Sequence, residues 1–382
     1  MFRLICDGEA VTRSALVRRT GMARSTLALR IDALLAHDLV YETATTASTG
    51  GRPPSRLAFN QQAGTILVAD LGPSHARFVA NDLAGTRLAE SVDELPISAG
   101  SEVVLPRVQR GFEALLVALG QPPQRVRGIG IGVPGAVDFA CGVPVAPASM
   151  PGWESSIPDW FAERYDAPVI VDNDVNLMAF GEHRAYWRVL EHMLYVKVGS
   201  DIGCGIVAGG RIYRGTHGAA GDIGHIRISG HDEALCSCGN VGCLQAVASG
   251  RALARALSAQ GLAARDAHDV VAHVRAGEPL AMQAVRDAGR HLGEGLAGAV
   301  NFFNPSAIVI GGDMADAHQQ FIAGLREVIF QRSLPLATTN LQIAPSRIGD
   351  SAVAFGAATM VIDRILAPDS IDRAIGADAV SA

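Results

Sequence analysis

Residues 224–250 read GHIRISGHDEALCSCGNVGCLQAVASG, and the reading of this stretch decides how the rest of the chain is understood. His225 is followed by Cys236, Cys238 and Cys243, an H-x10-C-x-C-x4-C spacing that offers one imidazole and three thiols. Zn2+ takes four N or S ligands in a tetrahedron, and Cys3His is a standard structural set. Half of the six cysteines fall within eight residues, in a segment rich in Gly, Ser and Asn that is a poor recipe for packing. The bland alternative is three buried or incidental thiols beside an unrelated histidine. A structural zinc ion fits the pattern better, but names no function by itself.

Outward from that loop, the 382 residues leave room for two or three domains. A hydrophobic content of 49% with 18% charged residues suits well-buried cores. No run reaches the ~18 apolar residues that a bilayer span needs. The start MFRLICDGEAVTR lacks the features of a signal peptide. A cytoplasmic protein without a membrane partner is expected, its cysteines metal ligands or free thiols rather than disulfides. The net charge of −6 argues against a nucleic-acid binder over the whole surface. Residues 1–60, however, hold eight Arg against five acids, leaving 24 basic and 33 acidic residues for the remainder. A basic head on an acidic body confines any DNA binding to the head.

The head reads as three short helices and a wing. Phe2 to Cys6 ends a first helix. Thr12 caps a second, Arg13 to Arg19, which stops at Thr20-Gly21. Ser25 to His37 carries apolar residues at Leu27, Ile31, Leu34 and Leu35, a helical period. Leu39 and Val40 begin a β-like stretch, and Ser48–Pro54 forms a Gly- and Pro-rich tip before Leu57-Ala58-Phe59. This is the order of a winged helix-turn-helix. Its third helix would present Arg24, Ser25, Thr26, Ala28 and Arg30 to the major groove or its phosphates. Arg52, in the tip, suits a minor groove, where negative potential attracts arginine. A helical protein-interaction module is the alternative. The first helix is short because the chain starts within it, which allows for an upstream start and an under-packed head.

From Gly64 onward the chain reads as α/β. Thr65 to Gly72 is a buried strand ending in an Asp-x-Gly turn, and Ala76 to Val79 a hairpin partner. Val103 to Leu119 is an amphipathic helix, Val126 to Val133 a strand, and Pro168 to Asp172 a strand feeding Asn173-Asp174 and a helix. Met193 to Val198 opens a second strand set with a Gly-rich turn from Gly199 to Gly205. Ala307 to Gly312 is a late strand and turn, and Gly349 to Leu366 a closing helix. A strand, a glycine turn and a hairpin, appearing twice, suggest a duplicated fold with a cleft between two lobes. Each turn can aim backbone N–H groups at a phosphate, as in an actin-like kinase.

These blocks together resemble the ROK family (repressor, open reading frame, kinase), which holds bacterial sugar kinases and sugar-responsive repressors. The zinc block with its GCLQAVAS tail is the most specific match. GVPGAVD (132–138), Pro151-Gly152-Trp153, VDNDVNLMAFGE (171–182) and NPSAIVIGGD (304–313) also fit. The resemblance implies a winged helix-turn-helix at 1–60, a first lobe at 61–185 to which helix 350–366 returns, and a second lobe at 186–349 with the zinc loop 225–245. It makes Asp174 the general base on a sugar hydroxyl, if kinase activity is retained, and Asn173 a partner of the neighbouring hydroxyl. Asp222 stands where Glu is usual at the sugar, and Gln245 where another Glu is usual. His225 would both bind zinc and face the sugar.

Two departures separate regulator from kinase. The first phosphate turn of ROK kinases is Asp-x-Gly-Gly-Thr; this chain has Asp70-Leu71-Gly72-Pro73-Ser74. Proline has no N–H and fixes φ. The second turn usually reads Gly-Thr-Gly-x-Gly; this chain has Gly199-Ser200-Asp201-Ile202-Gly203. A carboxylate beside a polyphosphate repels it by roughly 1 kcal/mol at ~4 Å in water, and by more in a cleft. Asp70, Gly72, Ser74, Ser200, Gly203 and Gly312 then form a vestigial phosphate site, and ATP is not an expected cofactor. The expectation is a ROK-type regulator, a repressor, binding double-stranded operator DNA as a homodimer or homotetramer and responding to a sugar or sugar derivative. The rivals are an ATP-dependent sugar kinase with a regulatory head, and a zinc or redox sensor.

Overall fold

The computed structural model describes residues 1–43, 55–145, 150–153 and 155–376. Three helices open the chain: α1 (Phe2–Cys6), α2 (Arg13–Thr20) and α3 (Arg24–Ala36). Thr12 caps α2, its Oγ1 accepting from the Ala15 N–H at 3.2 Å, and Gly21 at φ 68° ends it. Leu27, Ile31 and Leu34 of α3 repeat at i, i+4 and i+7 and are buried. Strands β1 (Val40–Thr43) and β2 (Arg56–Phe59) pair antiparallel as the arms of the wing. Although α1 is short, Phe2 and Ile5 are buried, and Phe2 meets Phe59 edge to face at 5.6 Å, so α1 packs against the wing. The wing tip with Arg52 lies outside the described residues.

The body repeats one topology. Strands β3 (Thr65–Leu71), β4 (Ala76–Asn81) and β5 (Arg87–Asp93) form an antiparallel meander. After α4 (Ser101–Ala118), β6 (Val126–Val133) joins parallel to β3. The short pair β7 (Val137–Asp138) and β8 (Val143–Pro144) and helix α5 (Ile157–Ala162) follow, and β9 (Val169–Asn173) joins parallel to β6. The sheet order is β5-β4-β3-β6-β9. Helix α6 (Asp174–Tyr186) leads to the second meander, β10 (Met193–Val198), β11 (Ile202–Ala208) and β12 (Arg211–Tyr213). Helices α7 (Leu244–Ala248), α8 (Gly250–Ala259), α9 (Ala267–Arg275) and α10 (Pro279–Phe303) come next. Then β13 (Ala307–Gly311) pairs parallel with β10, and α11 (His318–Arg332), α12 (Pro335–Thr338) and β14 (Gln342–Pro345) complete the order β12-β11-β10-β13-β14.

Helix α13 (Ala352–Ile365) returns to the first sheet, and α14 (Pro368–Ala374) follows it. The sequence explains the seat of α13. Gly128, Gly130 and Gly132 alternate along β6, and a Cβ on them would stand 2.4, 3.0 and 2.5 Å from Val361, Ala357 and Val353. Three missing side chains on one face of a strand make the groove that the helix fills. The α6–α13 contact is just as close: a Cβ on Gly356 would lie 1.9 Å from the Leu177 carbonyl oxygen. No single helix among the described residues is long and apolar enough to cross a membrane.

One expectation needs correction. The run Gly199 to Gly205 is not a single turn: Gly203 and Gly205 lie inside β11, Gly203 opposite Lys197 and Gly205 opposite Tyr195. A Cβ on Gly205 would come within 2.5 Å of Ala179 Cβ and 2.7 Å of the Val175 carbonyl. These glycines let α6 lie on β11, and only Gly199, Ser200 and Asp201 remain in the turn.

Candidate functional site

The four residues of the metal reading converge. His225, Cys236, Cys238 and Cys243 place one ligand atom each within 4.8 Å of all the others. Cys236 Sγ is 3.7 Å from His225 Nδ1, and Cys238 Sγ is 3.7 Å from Cys243 Sγ. Zn–S bonds of about 2.3 Å at the tetrahedral angle give sulfur–sulfur edges of about 3.8 Å, so the cage already has the size of a metal site. Backbone bonds close the loop around it: Gly239 N–H to the Cys236 carbonyl at 3.0 Å, Cys236 N–H to Asn240 at 2.8 Å, and Leu244 N–H to Ile226 at 2.8 Å. Amide donors reach the sulfurs, Asn240 Nδ2 to Cys238 Sγ at 3.6 Å and Gln245 Nε2 to Cys236 Sγ at 3.4 Å. Burial pushes the Cys236 thiol up, but hydrogen bonds from the Cys238 backbone, Gln245 and the two other thiols outweigh it and bring it down to about 6. Burial and the neighbouring Cys238 and Cys236 sulfurs push Cys243 up to about 12. One thiolate forms readily and a second is opposed, and a divalent cation would supply the charge that the cage lacks.

The cleft residues sit at strand ends. Asn173 closes β9 and caps α6, its Oδ1 accepting from Val175 N–H at 2.9 Å and Asn176 N–H at 3.2 Å while its Nδ2 donates to the Gly135 carbonyl at 2.8 Å. Both ends of the amide are thus engaged. Asp174 is buried, with Oδ1 accepting from the Val175 N–H at 2.8 Å and Oδ2 held by Lys197 Nζ at 2.5 Å. Lys197, on β10, is the sole lysine of the chain, and no local sequence pattern marks it as a partner of Asp174. Burial disfavours its charge, but Asp174, Asp70 and Asp201 together hold its pKa above the ordinary lysine value. Asp70, at the end of β3, goes the other way: burial and the Asp174 carboxylate raise it to about 7, with Lys197 and Arg77 opposing. Asp172 is another missed residue. It receives Arg214 at 2.6 and 3.0 Å and Asn176 at 3.0 Å, and so pins the strand before the Asn-Asp pair.

Asp222 is exposed, its Oδ1 4.0 Å from His225 Nε2, so the imidazole turns Nδ1 to the sulfurs and Nε2 toward the carboxylate. The segment is tied to β11, the Cys204 N–H donating to the Gly221 carbonyl at 2.9 Å. Gln245 departs from its expected direction: its amide nitrogen lies 3.4 Å from both Cys236 Sγ and Ser237 Oγ.

The first N–H group of each phosphate turn bonds within the turn. Gly72 N–H donates to the His75 carbonyl at 2.9 Å, and Pro73 has no N–H. Gly199 N–H donates to the Asp201 carbonyl at 3.1 Å, and the Asp201 carboxylate lies 3.8 Å from Arg251. Ser200 lies in this second turn, and Ser74 Oγ is 3.2 Å from His75 Nδ1. Gly312 turns out of β13 at φ 83°, where a Cβ would strike the Val198 carbonyl at 2.7 Å.

On the head, Arg24, Ser25 and Thr26 are exposed at the start of α3, and among the described residues Arg24 has no ion-pair partner. Ala28 and Arg30 are partly buried. Arg30 donates to both Asp372 oxygens at 3.0 and 3.3 Å, so its charge faces the body.

Known proteins match nearly the full length of the chain. Residues 67–364 match the sequence model of the ROK family. The xylose repressor of Caldicellulosiruptor bescii is 29% identical over 380 residues, covering 96% of this chain and 95% of its own length. A ROK family transcriptional regulator described as a homolog of the E. coli MLC protein superposes with a TM-score of 0.85 at 26% identity, over 98% of this chain and 96% of that one. A ROK family glucokinase from Streptomyces griseus, solved with glucose and AMPPNP, superposes with a TM-score of 0.65 at 26% identity. It covers 78% of this chain and 99% of that one.

Proposed function

The chain belongs to the ROK family, and from that premise we infer that it is a DNA-binding transcriptional regulator responsive to a sugar. The observation that carries this reading is the head. A regulator of the family is matched along 98% of this chain, a kinase along 78%, and the described head offers an exposed Arg24-Ser25-Thr26 edge at the start of its third helix. Two copies would read a pseudo-palindrome, each placing α3 in the major groove. The sugar would lie in the cleft against Asp174, Asp222 and His225, and D-xylose is the first to test because relatives carry the name xylose repressor. Zn2+ is the fitting ion for the Cys3His cage and would hold the loop that carries His225.

The reading includes no sugar phosphorylation. A general base must reach the substrate hydroxyl, and both Asp174 oxygens are already engaged, Oδ1 by the Val175 N–H and Oδ2 by Lys197. A phosphate turn must offer N–H groups, and Gly72 and Gly199 spend theirs internally. The test is selection of genomic DNA fragments on the purified, zinc-loaded protein, followed by sequencing. A palindrome enriched beside sugar transport or catabolism genes is the expected result. No enrichment by folded protein overturns the reading.

A further inference from the structure

The sequence reading puts Arg30 on DNA, but the fold gives its guanidinium a partner 342 residues away. Its Nη1 donates to both oxygens of Asp372, and the two side chains are only 28% and 29% exposed. Asp372 sits on α14 beside Ile371, which is 5% exposed and belongs to the same apolar cluster as Leu16, Leu27, Ile31 and Leu34 of the head. With both side chains less than a third exposed, the pair is a partly buried link between α3 and α14 rather than a loose surface contact. The body end of that link is firm. Helix α14 follows α13 after Leu366-Ala367, and α13 lies in the glycine groove of β6 and against α6, whose first turn carries Asp174.

A DNA phosphate competing for Arg30 would have to strip it from a partly buried carboxylate, which leaves Asp372 unpaired. Arg24, six residues earlier on α3, faces no such competitor among the described residues. We propose that Asp372 is a positioning residue: it holds α3 through Arg30, so that Arg30 sets the angle of the reading helix and makes no DNA contact itself. This rests on the DNA-binding reading above. Arg3, Arg13 and Arg19 pair within the head, with Asp7, with Asp32 and Glu42, and with Glu9, whereas Arg30 alone among the described pairs is engaged by the far end of the chain.

The experiment compares Arg30→Ala, Asp372→Ala, the double variant and the charge swap Arg30→Asp/Asp372→Arg in the full chain. Affinity for the selected DNA fragment is measured across a salt series, and amide hydrogen exchange in α3 is measured without DNA. The two single variants are expected to weaken binding by the same factor, about fivefold or more, with no further loss in the double variant, as for two halves of one contact. The slope of log affinity against log salt stays at its wild-type value, because no phosphate contact is lost. Exchange in α3 quickens equally in both, and the swap restores affinity and protection. A slope lower by about 1 in Arg30→Ala, with Asp372→Ala unchanged, overturns the proposal and makes Arg30 a phosphate contact. Unchanged exchange in α3 in the two single variants overturns it whether or not DNA is bound. A wild-type protein that retains no fragment fails the regulator reading instead, and the exchange data still judge the tether.

Discussion

The metal loop and the two phosphate turns belong to the same body and have fared differently. The loop keeps all four ligand atoms within 4.8 Å and adds amide donors to two of the sulfurs. The turns at Gly72 and Gly199 keep their places after β3 and β10, yet bond their first N–H groups to their own carbonyls and carry Pro73 and Asp201. A cage that anchors His225 serves ligand binding with or without chemistry. A phosphate turn serves only a nucleotide. On the proposed reading the difference marks what a sensor must keep and what it is free to lose.

The largest expected effect tests the intact side. Cys238→Ser, or removal of the metal by a chelator, should cost about 3 kcal/mol or more, which lowers Tm by roughly 6–12 °C at 2–4 °C per kcal/mol. A variant that loses zinc and keeps its Tm and its sugar binding would break the comparison. The degraded side is tested by repair. Pro73→Gly with Asp201→Gly should strengthen binding of a non-hydrolysable ATP analogue by about tenfold or more, from ~1 kcal/mol of relieved repulsion and about 1 kcal/mol for a regained donor. Sugar phosphate should still not form, since both Asp174 oxygens stay engaged by the Val175 N–H and Lys197. Titration calorimetry and a coupled ADP assay read the two outcomes separately.

In the head, Arg24→Ala should weaken fragment binding by about 1–3 kcal/mol if it reads a base, or lower the salt slope by about 1 if it meets a phosphate, with Tm unchanged. A further effect is confined to one pH window. Asp70 ionises at about 7 in the fold and near 4 in the unfolded chain, so between those values the folded state holds a proton that the unfolded chain has released. Stability therefore falls as pH rises from about 4 to about 7. Asp70→Asn should raise Tm at pH 8 and leave it unchanged at pH 4. An equal change at both values would mean that the raised pKa is not what matters there.

Local signals carried most of the fold. The Thr12 cap, the Leu27-Ile31-Leu34 period and the strand-turn-hairpin repeat depend on residues close in sequence, and each lies where its pattern put it. The metal set was legible for the same reason, all four ligands falling within nineteen residues. Glycine misled at Gly203 and Gly205, because G-x-G reads alike for a turn and for a strand crossed closely by a helix. What the sequence hid was pairing across distance: Asp174 with Lys197, Asp172 with Arg214, and above all Arg30 with Asp372. A lone lysine in an apolar strand was a usable signal for the first. Nothing in the sequence near Arg30 marks Asp372 as its partner.

The most direct measurement is the affinity of the selected DNA fragment for the wild-type protein, with ATP present, alone and with D-xylose, D-glucose or N-acetylglucosamine. Tight binding is expected, shifted by one of these sugars by at least about fivefold, the low end of an ordinary coupling between two sites, with no sugar phosphate formed. Identical binding curves with every sugar, together with ATP-dependent phosphorylation of any of them, would contradict it.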